Sequence, residues 1–149
     1  MAQIQRKQKI EDTLELLDEN GVICHTLPVN IDIDRCFVRV AQARKNIIAA
    51  EQELKKENTP KAHENYGKAI CELYSAIFGD EGCDKILEHY DNRYTDMFLD
   101  IMPYLINEIY PRFDAISKAK VQQLIDLKSA VDPRKRTGKH SRGRTFRKR

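Results

Sequence analysis

From Ile33 to Leu127, apolar side chains recur every three or four residues with few gaps. Only a helix turns that period into continuous faces. The first run is Ile33, Phe37, Val40, Ile47 and Leu54, and it follows Asn30-Ile31-Asp32, either polar residue of which can N-cap a helix. Ala43 and Ala50 flank this seam while Arg44 and Glu51 interrupt it, a pattern that predicts an antiparallel helix pair rather than a sustained coiled coil. KKENTPK ends the run, with Thr59 placed as N-cap and Pro60 at the first position of the next helix. That second helix carries Tyr66, Ile70, Leu73, Tyr74 and Ile77 and is expected to stop at Phe78-Gly79, where glycine can take a left-handed C-terminal conformation. Asp80 can then cap a short third helix bearing Ile86, Leu87 and Tyr90, which Asp91-Asn92 breaks. The next pattern, Tyr94, Met97, Phe98, Ile101, Met102, Leu105, Ile106 and Ile109, is nearly apolar on two faces and suits a central or partner-binding helix. Pro103 and Pro111 lie inside it; each removes an amide donor, which predicts kinks or a break near Pro111. Phe113, Ile116, Val121, Leu124, Ile125 and Leu127 continue a thinner stripe.

Upstream, TLELLDENGVICHTLPV places two short apolar runs around Asp18-Glu19-Asn20-Gly21. Asn-Gly suits a tight turn, and Val22, Ile23, Thr26 and Pro28 favour strands on the second arm, so a β-hairpin is expected over about residues 13–29. Ile10 to Leu17 alone also fits a helical spacing. The expected fold is mainly α: a small helical bundle with an N-terminal β-hairpin over residues 1–132, followed by a disordered basic C-terminal tail over 133–149.

Charge divides along the same line. Arg134, Lys135, Arg136, Lys139, Arg142, Arg144, Arg147, Lys148 and Arg149 sit in a stretch without one Asp or Glu. Removing these nine from the 26 basic residues leaves 17 against 23 acidic ones, so the rest of the chain carries about −6. A duplex-reading module would hold its basic stripe on the fold itself, so the acidic body argues against one. The tail nevertheless offers weak, nonspecific nucleic-acid binding, since dense Lys and Arg displace counterions from phosphates.

Catalytic signatures are not found. The sequence carries no phosphate-binding glycine loop, no G-x-G-x-x-G and no recognisable nucleophile–base pair, so no enzyme activity and no cofactor are expected. Cys24, Cys36, Cys71 and Cys83 form no C-x-x-C pair, and no secretory or membrane-spanning run of roughly 18 to 20 apolar residues occurs. Reduced thiols, a cytoplasmic location and no membrane contact are expected. Cys24-His25 and Cys83 with His89 could be offered as zinc ligands, but structural zinc sites come as closely spaced pairs, so buried thiols and surface imidazoles are expected and no metal. HYDNRYTD, residues 89–96, reads as a helix junction with capping oxygens at Asp91 and Asn92. For Met97, Phe98, Ile101, Met102 and Leu105, two readings stand: plain core, or a pliable groove for an apolar partner.

The segment YGKAICELYSAIFGDEGCDKILEHYDNRYTDMFLDIMPYLINEIYPRF, behind a short hairpin and a long charged helix, resembles the small tail assembly chaperones of long-tailed, siphovirus-type phages of Gram-positive bacteria. The resemblance covers about Thr13 to Lys118. It rests on IFG at 77–79, KILEHY at 85–90, Tyr94 with Met97, and the prolines at 103 and 111. It implies a non-enzymatic protein of the infected or lysogenic host cytoplasm that binds the tape measure protein, keeps it soluble and assists tail-tube assembly, with the major tail protein as a further partner. Partner-binding residues are then expected at Tyr94, Met97, Phe98, Ile101, Met102 and Leu105, and a homo-oligomer is compatible with such a role. The basic tail lies outside the resemblance. The competing expectation is a nucleic-acid-associated phage protein acting through Arg134 to Arg149.

Overall fold

A computed structural model describes residues 2–4 and 9–131. The chain is mainly helical behind an N-terminal hairpin, as expected. The tail, with all nine of its basic residues, lies outside the described residues.

The hairpin pairs β1 (Ile10–Leu17) with β2 (Ile23–Ile31) antiparallel, longer on both arms than the sequence indicates. The period of two sends Ile10, Asp12, Leu14 and Leu16 to the same face as Ile31, Val29, Leu27 and His25, their register partners. Ile10, Leu16, Leu27, Val29 and Ile31 of that face are buried. Asp18, more than the Asn-Gly pair, organises the turn. Its carboxylate accepts hydrogen bonds from the Asn20 and Val22 amides at 2.8 and 2.9 Å, while Gly21 takes φ +81°.

Helix α1 (Ile33–Lys56) starts where Asp32 caps the Asp34 amide at 3.1 Å. It buries Ile33, Val40, Ala43, Ile47 and Ala50. The two alanines let it pack closely along α2 (Pro60–His89), which Thr59 caps through the Ala62 amide with Pro60 in the first turn. Ile70, Leu73, Tyr74 and Ile86 of α2 form the centre of the core.

Within α2, Gly79 ends a first helical segment and separates it from a second one, the boundary the sequence predicts. It takes φ 81°, ψ 166° and kinks the helix, which then resumes to His89. Asp80, expected as a cap, instead accepts the Ser75 hydroxyl and lies 3.6 Å from Arg39 of α1. The break at Asp91 and Asn92 is as anticipated, with both residues at positive φ.

Helix α3 (Tyr94–Tyr104) passes through a π-helical turn (Leu105–Ile109) into α4 (Tyr110–Val131). The prolines produce neither a stop nor a loop. The Tyr110 amide bonds the Leu105 carbonyl, five residues back, and this widening makes room at Pro111, whose ring crowds an α-helical turn. The buried residues Met97, Ile101, Leu105, Ile109 and Phe113 recur at intervals of four, longer than the 3.6 of an α-helix. A wide turn midway returns the later ones to the core side. Phe37 stacks on Phe113 at 5.9 Å, and the Arg44 guanidinium lies 4.0 Å over the Tyr110 ring.

The chain divides into two compact units, one ending at Phe113 and one beginning at Asp114. In the second, the described residues form the remainder of α4, whose large apolar side chains Val121, Leu124, Ile125, Leu127 and Val131 are exposed. Among the described residues no helix is long and apolar enough to cross a membrane.

Candidate functional site

Folding divides the six residues expected to bind a partner. Met97, Ile101 and Leu105 face inward and are buried, while Phe98 and Met102 are half-buried and Tyr94 is exposed. Those last three lie four residues apart and so share a stripe along α3. Leu99 and Ile106, both more than half exposed, border Met102 at spacings of three and four and widen the stripe.

Two features of α2 hold this outer surface in place. The Tyr94 ring lies against the backbone of buried Gly67, where a β-carbon would come within 3.0 Å of the ring carbons. The Tyr66 ring meets Phe98 edge to face at 5.5 Å. Tyr66, Tyr94, Phe98, Leu99, Met102 and Ile106 therefore compose an apolar surface with aromatic anchors, the composition that protein–protein interfaces favour. The sequence reading assigned Tyr66 to the helix face and did not single out Gly67 or Leu99. No local signal links positions 66 and 67 with 94–99; only the α2–α3 packing does.

The inner side is tied by buried polar contacts. Tyr74 is fully buried and its hydroxyl donates to the Met97 carbonyl at 2.9 Å. Burial drives its ionisation far upward, so it stays a donor throughout the physiological range. On the hairpin side, Asp12 accepts the Tyr104 hydroxyl at 2.7 Å and the Thr13 amide at 2.8 Å. The Tyr104 bond first, then the amide, holds the Asp12 carboxyl below its ordinary value, against the opposing effect of partial burial.

A pH prediction follows from that tether. A depressed folded-state pKa gives stability that is fully present above the unfolded carboxylate value near 4 and is lost as pH falls through the folded value. Asp12→Asn should therefore melt below wild type by a constant margin from about pH 5 to 9, and the margin should shrink below about pH 4. Thermal melts across that range check it. A margin independent of pH down to 2 would mean that the Asp12 charge contributes nothing.

The chemistry elsewhere is sparse. An open cleft of about 480 Å³ lies between the hairpin turn and the α2–α3 junction, lined by Asp18, Glu19, His89, Arg93 and Asp96 among others. His25 and His89 meet edge to face at 5.8 Å, and His89 packs on Tyr90 at 5.0 Å. Cys24 is exposed, while the buried Cys83 thiol donates to the Cys71 carbonyl at 3.6 Å and its ionisation is pushed up by the Cys71 contact and by burial. Among the described residues no three His, Cys, Asp or Glu side chains are grouped to hold a metal ion.

No protein-family model matches the chain, and neither a curated protein nor a solved structure is similar to it.

Proposed function

We propose that this chain is a non-enzymatic tail assembly chaperone of a long-tailed phage, which binds the tape measure protein in the host cytoplasm, keeps it soluble and assists tail-tube assembly. One observation carries the reading: of the six residues the resemblance marks for a partner, Tyr94, Phe98 and Met102 stay at least partly exposed along one stripe of α3. Tyr94, Phe98 and Met102, broadened by Tyr66, Leu99 and Ile106, offer a pliable aromatic and thioether surface along α3 and the π-helical turn. An amphipathic partner helix can lay its apolar face along such a strip.

Coexpression with fragments of the tape measure protein tests it. Wild type should keep the fragments soluble. Phe98→Asp combined with Leu99→Asp places two charges in the apolar contact and should abolish that protection while the melting temperature changes by only a few degrees. Truncation before residue 133 should leave protection intact. Fragments that precipitate equally with wild type and variant would sink the proposal.

The density of charge in the basic tail favours one second reading, a nucleic-acid-associated phage protein using Arg134 to Arg149. On that reading affinity is sequence-independent, falls steeply with salt and disappears with the truncation.

A further inference from the structure

The outer face of α4 beyond Asp114 raises a separate question. Val121, Leu124, Ile125, Leu127 and Val131 are between 52% and 69% exposed. Steps of three and four connect them through Leu124, so they form one strip about 15 Å long rather than scattered surface residues. They lie on the part of α4 that follows Asp114, in the second of the two units. Most helical stability in proteins comes from burying an apolar face, and this part of α4 leaves its large apolar side chains exposed. The strip is thus a core without its other half.

We infer that α4 mediates self-association, with residues 116–131 of one chain pairing antiparallel along the same residues of a second copy. Two such strips facing each other would remove on the order of 1,000 Å² from water, about the minimum a biological interface needs. An isologous contact needs no second surface, since each strip supplies the complement of the other. Charge selects the direction. Lys128 projects within the strip, between the Leu124 and Val121 positions, and a parallel pair would set it against its own copy. An antiparallel pair about the level of Asp126 instead sets Val121 of each helix opposite Val131 of the other and separates the two lysines. This inference does not rest on the chaperone reading; it concerns a different surface and has its own test.

The test is sedimentation equilibrium of the full chain over a wide concentration range, with Leu124→Gln/Leu127→Gln as the comparison. Glutamine keeps a good helix propensity while removing the apolar face. Wild type should sediment as a dimer and the double variant as a monomer, at least tenfold weaker in association, with the melting of the unit ending at Phe113 unchanged. A circular dichroism signal rising with concentration in wild type but not in the variant would add support, because pairing completes the helix. A dimer that survives the double substitution overturns the inference, since association then uses another surface. A wild type that stays monomeric throughout, even one whose α4 captures an apolar helical peptide, overturns it as well, since the strip then serves a foreign helix.

Discussion

Met97→Asp should unfold the unit that ends at Phe113, whereas Phe98→Asp, one residue further on, should leave it folded. Met97 is fully buried, and its carbonyl receives the Tyr74 hydroxyl. Losing its side chain alone costs about 2–5 kcal/mol, and leaving an unpaired carboxylate in that apolar space adds several more. Against a typical total of about 5–15 kcal/mol, little or nothing remains. Phe98 is half-buried, its carboxylate replacement can reach water, and the loss is chiefly its edge contact with Tyr66, about 0.5–1.5 kcal/mol. Thermal melts followed by circular dichroism separate the two outcomes. If Met97→Asp melts like wild type while Phe98→Asp unfolds, the assignment of inner and outer faces of α3 is reversed.

That contrast marks where the sequence stops being informative. The helices were legible because their starts are chemically explicit: Asp32 and Thr59 cap where polar residues precede an apolar period, and Pro60 sits where its missing amide costs nothing. The hairpin was legible from Asp18 to Gly21, although its arms run to Ile10 and Ile31, where Glu11, Asp12 and Asn30 obscure the alternation. Pro111 was legible in part: of the kink or break it predicts, the structure shows a local distortion of the helix and not a break. Its local cost is real, but a π-helical turn meets it more cheaply than a break would, because the core residues on both sides recur at four and gain from staying in line.

The candidate surface was only half legible. A helix that is apolar on two faces announces burial without saying which face is covered inside the chain. Met97, Ile101 and Leu105 turned out to be inward, and nothing between residues 94 and 105 distinguishes them from Tyr94, Phe98 and Met102. The choice depends on α2, where the absence of a side chain at Gly67 receives the Tyr94 ring and Tyr66 meets Phe98. The stripe from Val121 to Val131 was visible as a pattern, but periodicity specifies a face and not what covers it.

Gly79→Ala and Gly79→Asn should be about equally destabilising, each by about 1–3 kcal/mol. The sequence reading placed Gly79 in a left-handed helix cap, and in that conformation asparagine is the best substitute for glycine, so Asn would recover much of the loss. The observed φ of 81° is paired with ψ of 166°, outside the left-handed helical region and in one that essentially only glycine occupies. Asparagine gains nothing there. A β-carbon at residue 79 would meet nothing within 4 Å, so the cost is backbone strain alone and does not depend on how well a side chain packs. Nor can the helix straighten to escape it, because the kink brings Cys83 to the Cys71 carbonyl and places Ile86 in the core. For a chain of this size each kcal/mol lowers the melting temperature by roughly 4 °C. Equal losses in both variants would support the observed geometry, while an Asn variant that melts well above the Ala variant would mean that residue 79 is a left-handed cap.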